Sequence, residues 1–217
     1  PDYTLALRED VEGLVIGIPY DYCHNVVEDI DKENVMIVET AIRELGRLGA
    51  IIQNVSLPSL EYAPLANNVI AMSEAYSYHL PNLRAKPENY GETFLRRLFV
   101  GGLSTAADYV QAQRFRTRIT QEFRQIMETV DLIAMPTQVN PPGVLEDMRS
   151  TAPILGPSFM APFNQTGMPA MSIPCGFDSN GLPVGLQLAG RPFDEPTVLR
   201  AAYTYQQHVG LYKLRPP

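Results

Sequence analysis

The feature that most restricts the fold is a double change of hydrophobic period between Leu14 and Val55. Leu14-Val15-Ile16-Gly17-Ile18 is a continuous apolar run stopped by Pro19, which has no N–H to give a ladder, so it reads as a buried strand. From Asp29 or Asp31 the apolar residues Val35, Val38, Ile42, Leu45 and Leu48 recur every three or four positions, with Lys32, Glu39, Arg43 and Arg47 on other faces. Acidic residues at the start and Gly49 at the end complete the pattern of an amphipathic helix. Ala50 to Val55 returns to a strand pattern. A strand, a helix and a strand of these lengths make a βαβ crossover, which joins parallel strands with a right-handed connection. Residues 1–57 are therefore expected to form this unit, and the chain to be α/β.

Residues 58–130 carry helical periodicity interrupted by Pro64, Pro81 and Pro87, which predicts several short helices with loops between them. A longer helix starts at Thr105, where Thr105-Ala-Ala-Asp108 matches a capping box and Ser104 stands at the helix start. Tyr109, Ala112, Phe115, Ile119, Phe123 and Ile126 give this helix one apolar face. Residues 131–217 then predict a strand, a loop, a hairpin and a closing helix. The strand is Asp131 to Met135, ended by Pro136, and Thr137 to Gly156 is a long loop. Ala170–Pro174 and Val184–Leu188 pair through an Asn180-Gly181 turn, and Glu195 to Val209 is the helix. The strands are nearly continuous apolar runs, as expected of strands covered on both faces, so the chain by itself is expected to expose apolar surface and to associate.

With 217 residues, 45% of them hydrophobic, the chain can bury a real core. Its 17 basic against 24 acidic residues give a net charge of −7, which repels a phosphate backbone, so no nucleic-acid partner is expected. No apolar stretch approaches the roughly twenty residues of a bilayer span, and no membrane partner is expected. Cys23 and Cys175 form no disulfide or metal pattern, which suits a reduced, cytoplasmic setting. The chain opens on Pro1 instead of Met, as expected of a processed, cloned or split piece.

The usual catalytic patterns are missing. His24, His79 and His208 stand apart, so no metal site is expected, and no phosphate loop or cofactor motif is present. Cys23 and His24 are adjacent, but neighbouring side chains point apart, which favours ordinary packing over a thiol–imidazole pair. Arg114, Arg116, Arg118 and Arg124 share a helix with Glu122 and Glu128 and read as a solvated face. Ser104, Ser158 and Ser172 lack a Gly-x-Ser-x-Gly elbow, and each has a plainer role as helix start, loop hydroxyl or strand residue.

The most informative stretch is Phe163-Asn164-Gln165-Thr166-Gly167-Met168-Pro169-Ala170-Met171-Ser172-Ile173-Pro174-Cys175-Gly176, followed by Gly181-Leu182-Pro183-Val184-Gly185-Leu186-Gln187-Leu188. Gly185 is expected to let another backbone approach closely. Together with Asp131–Thr137, the arginine pair in Leu95-Arg96-Arg97-Leu98, and Gly13–Pro19, this succession resembles the amidase-signature family over nearly the whole chain. The resemblance implies a mixed β-sheet flanked by helices, the C-terminal half of an amidase-signature fold spanning residues 1–217. It also implies hydrolysis of a small carboxamide to acid and ammonia or amine, with no cofactor.

Members of that family use a Ser-Ser-Lys machinery in a Gly/Ser-rich stretch. Here the lysines are only Lys32, Lys86 and Lys213, and no such stretch exists, so no catalytic residue is expected in this chain and the isolated chain is expected to be inactive. The resemblance places the machinery in an N-terminal half, the expected partner beside a small amide substrate and a second copy of the chain. Arg97, Arg96, Thr137 and Asn164 are the residues that match substrate-binding positions. The stretch Gly156-Pro157-Ser158-Phe159-Met160-Ala161-Pro162 lacks the Asp or Glu with which glutamine-using members hold the amino acid. Two other readings remain: an A-subunit fragment of a glutamyl-tRNA amidotransferase, and a catalytically inactive binding or scaffold module.

Overall fold

In the computed structural model, residues 2–26, 30–143 and 158–214 are described. β1 (Val15–Ile18), α1 (Lys32–Arg47) and β2 (Ile51–Asn54) form the crossover unit, with β1 and β2 parallel in the register Val15–Ile51 to Ile18–Asn54. Asp31 caps α1 by accepting the Asn34 N–H at 3.0 Å, whereas Asp29 lies outside the described residues. At the other end Leu48 is the C-cap and Gly49 follows at φ +106°, the left-handed step that releases the chain into β2.

α2 (Ala63–Ala85), α3 (Glu92–Leu103) and α4 (Ala106–Ile126) follow. The prolines predict several short helices before residue 102, but α2 runs through Pro81 without a break. Pro64 sits in the first turn, where its missing N–H has no helical partner to lose, and Pro81 stands near the C-terminal end of a helix packed on both α3 and α4. The single missing bond at Pro81 is outweighed by that packing. Ser104 does not start a helix; it is the C-cap of α3. Thr105 starts α4 with both halves of a capping box, its side chain accepting the Asp108 N–H and its own N–H donating to Asp108.

β3 (Leu132–Pro136) leads into the segment 137–143; the rest of the expected loop, to Gly156, lies outside the described residues. α5 (Ala161–Thr166), β4 (Ala170–Phe177), β5 (Pro183–Gly190) and α6 (Glu195–Val209) complete the chain. The hairpin between β4 and β5 is longer than expected and is not closed by a two-residue Asn-Gly turn. Asp178 Oδ1 accepts the N–H groups of Asn180 and Leu182 at 2.9 and 2.7 Å, and only Gly181 takes a positive φ, +79°. The Asp side chain thus builds a wider turn than Asn-Gly alone would.

The mixed sheet has the order β2-β1-β3-β5-β4, with β1 parallel to β2 and β3, and β5 antiparallel to both its neighbours. α1 and α6 cover one face: Val38, Ile42, Leu45, Val198, Ala201 and Tyr205 pack with Ile16, Leu132, Leu186 and Leu188. On the other face Ile119, Phe123, Phe159 and Phe163 pack with Ile133, Met135 and Ala189. Each such aliphatic or aromatic side chain stabilises the fold by about 1.5–3 kcal/mol on burial. β3 is buried along its whole length, as a strand covered on both faces must be. β2 is not, because it lies at the sheet edge, with Ile51 54% exposed. No helix among the described residues is long and apolar enough to cross a membrane.

Candidate functional site

Because β1, β2 and β3 run parallel, their carboxyl ends share one edge of the sheet, the position at which open α/β sheets take ligands. β5 begins at the same edge, and the Thr137 N–H, one step past β3, donates to Gly185 O at 2.9 Å. The Thr137 and Ser172 hydroxyls lie 2.6 Å apart, and either can be the donor. A Cβ on Gly185 would come 2.7 Å from Ser172 Oγ and 2.8 Å from Thr137 Oγ1. Gly185 therefore admits two side-chain hydroxyls and not the backbone approach expected of it. One proton is consumed within the pair, leaving one O–H and free lone pairs to meet a ligand. Gln187, the register partner of Ser172, is buried and donates to Phe159 O at 3.0 Å, which fixes the chain just before α5.

Of the four residues matched to substrate positions, Thr137 stands at this edge, half-buried and paired with Ser172. Asn164 is exposed on α5, with only its backbone hydrogen-bonded among the described residues. Arg96 is exposed and paired with Glu92 on its own helix. Arg97 is half-buried on α3 and makes no hydrogen bond or ion pair among the described residues. α3 packs on α2, away from the strands, so the two arginines are not drawn into contact with the hydroxyl pair. Gly156 and Pro157 lie outside the described residues, and Ser158 to Pro162 holds no carboxylate.

None of the remaining nucleophiles among the described residues has an activating partner. Ser172 bonds only to Thr137 among the described residues, and all three lysines are exposed. Burial pushes the Cys23 thiol up to about 12, with the Glu39 carboxylate adding to the effect, and burial alone pushes Cys175 up to about 12. His24 turns from Cys23 to Glu39 Oε1 at 2.9 Å and stacks on Tyr20. Among the described residues no group of three or more His, Cys, Asp or Glu is placed to hold a metal. One basic residue does more than face solvent: Arg116 Nε donates to Gln165 O at 2.7 Å and ties α4 to α5.

A cleft of about 450 Å³ opens at the same edge, lined by Asn34, Gln138, Asn140 and Gly143 together with prolines and Gly185. Asn34 carried a legible signal that periodicity alone passed over: it is a polar residue on the α1 stripe that continues as Val38, Ala41 and Leu45.

The family model described as Amidase matches residues 1–199. The chain is 36% identical over 242 aligned positions to the A subunit of the glutamyl-tRNA(Gln) amidotransferase of Methanosarcina acetivorans, covering 100% of this chain and 50% of that protein. The structure of the corresponding protein from Thermotoga maritima is 30% identical at a TM-score of 0.69, covering 93% of this chain and 44% of that one. A bacterial aryl acylamidase of the amidase signature family shares the fold at a TM-score of 0.79 and 18% identity, over 100% of this chain and 49% of its own. The chain spans about half the length of the curated relatives it matches.

Proposed function

The chain belongs to the amidase family, and from that premise we propose that it is the C-terminal half of an enzyme that hydrolyses the C–N bond of a small carboxamide. The observation that carries this is the match over residues 1–199 combined with the absence, among the described residues, of any activated nucleophile. In this reading the other half supplies the Ser-Ser-Lys machinery, and this half shapes the substrate pocket with Thr137, Asn164 and Arg97. The chain alone is then inactive towards aryl and aliphatic amides, and mixing it with a family N-terminal half that carries the machinery produces turnover. Turnover by the isolated chain that disappears on replacing Ser104, Ser158 or Ser172 by Ala would overturn the division of labour. Turnover that survives the triple replacement would reveal a site elsewhere in the chain.

A second reading, that of an amidotransferase A subunit, is favoured by the 36% identity to a protein of that name and by Arg97, a cation without an ion-pair partner among the described residues and able to take a carboxylate. Against it stands the absence of Asp or Glu from Gly156–Pro162, since a free α-ammonium needs an anionic partner and leaving it unpaired costs several kcal/mol. The reconstituted enzyme should therefore prefer neutral amides to glutamine. Equal turnover of glutamine and benzamide decides for the second reading.

A further inference from the structure

The cleft at the carboxyl edge contains a side chain that neither the family match nor the hydroxyl pair accounts for. Asn34 is 5% exposed and lines the cleft, yet its carboxamide makes no hydrogen bond among the described residues; only its backbone N–H is engaged, by Asp31. A buried amide left unpaired destabilises a fold, and at this point of the α1 stripe an aliphatic residue would serve packing better. The cost is explained if a ligand supplies the missing partners.

The surroundings define which ligand. Asp31 N–H donates to Val139 O and to Asn140 Oδ1 at 3.2 and 3.0 Å, fastening the segment after β3 to the start of α1. That uses the acceptor of Asn140 and leaves its Nδ2 as a donor, while the Gln138 amide is exposed and unpaired among the described residues. Ser179 donates to Glu33 Oε2 at 2.9 Å, engaging the nearest carboxylate of the turn, and Glu33 is not part of the lining. Pro141, Pro142 and Pro183 add rigid apolar wall, and no charged side chain lines the cleft among the described residues. Its volume of about 450 Å³ lies within the range of small-molecule sites.

We propose that this cleft is a binding site for a small neutral molecule bearing a carboxamide, held by paired N–H···O bonds to Asn34 and by its apolar body against the prolines. An amide presents a donor and an acceptor side by side, the complement of the Asn34 side chain. A carboxylate offers only acceptors, and an ammonium only donors, with no counter-charge in the lining.

The test uses the full chain, labelled with ¹⁵N, titrated with benzamide, benzoate and benzylammonium. Benzamide is expected to shift the Asn34 side-chain amide and the Gly143 and Gly185 backbone resonances in a saturable way, and the two charged analogues to bind at least about tenfold more weakly. Asn34→Leu and, as a smaller replacement, Asn34→Ala are expected to weaken benzamide at least about tenfold while at least one of them keeps or raises the melting temperature. The proposal is overturned if benzamide leaves these resonances unmoved, if both variants bind it unchanged, or if both melt earlier, since the amide then serves the fold. Binding is the readout, so a failure of the amidase reading leaves this result standing.

Discussion

At Gly185 the absence of one methyl group decides whether two strands can present their hydroxyls to each other. Gly185→Ala would drive a carbon to 2.7 Å from Ser172 Oγ and 2.8 Å from Thr137 Oγ1, so the pair must separate or β5 must shift, at about 1–3 kcal/mol. Chemical denaturation of Gly185→Ala, Thr137→Val, Ser172→Ala and the double variant checks this. A coupling of about 0.5–1.5 kcal/mol between the two hydroxyls is expected, and strict additivity would show that the 2.6 Å contact contributes nothing. The thiols make a separate prediction. Cys23 and Cys175 hold their protons up to about 12 in the folded chain, whereas an unfolded thiol loses its proton near 9. The folded state thus binds more protons between those values, and stability is complete below about 9 and falls as pH rises towards 12, by roughly 1 kcal/mol per pH unit for each thiol. Buried Tyr22 and Tyr205, also shifted upward by burial, act in the same direction at the alkaline end. A flat stability profile between pH 9 and 11, or ready reaction of either thiol with a thiol reagent in the folded chain, contradicts the burial on which this rests.

Among the elements, α3 depends on the closest contact in the helical layer. A Cβ on Gly101 would collide with the backbone carbonyl of Met72 on α2, which cannot move without unwinding its helix. Gly101→Ala should therefore detach or displace α3 and cost about 1–3 kcal/mol or more, while the sheet and α1 stay protected in hydrogen exchange. Loss of protection throughout the molecule would show that α3 is integral to the core. The hairpin teaches a related lesson about legibility. Asn180-Gly181 announced a turn, but the geometry was set by Asp178, whose carboxylate takes two backbone donors across the loop. Pro81 likewise announced a break that packing on α3 and α4 overrode. Thr105-Asp108, a local device that needs no distant partner, forms the capping box its spacing predicts.

For the molecule as a whole, the sheet ends in two strands, β2 and β4, each paired on one side only among the described residues. On β4, Ala170, Ser172, Pro174 and Phe177 are exposed, and exposed Phe94, Phe99 and Leu103 line α3. Unpaired edges and apolar surface recruit other chains. The purified chain at micromolar concentration should sediment as a dimer or larger species, or bind a family N-terminal half tightly. A monodisperse monomer that binds no hydrophobic dye would mean that these surfaces are satisfied within the chain.

The sequence by itself determined the βαβ unit, the caps of α1 and α4, the closing helix and the family, because periodicity and capping are local and a motif succession is read directly along the chain. It marked Thr137 as a site residue but not its partner Ser172, since the two meet only when β3, β5 and β4 align and Gly185 leaves room between them. Tertiary structure alone decided that, among the described residues, Arg97 stands unpaired in an outer layer, that Cys23 is inert while His24 turns to Glu39, and that the Asn34 carboxamide faces a cleft without a partner. Burial and pairing are properties of what surrounds a side chain, and that is set by which distant segments the sheet brings together.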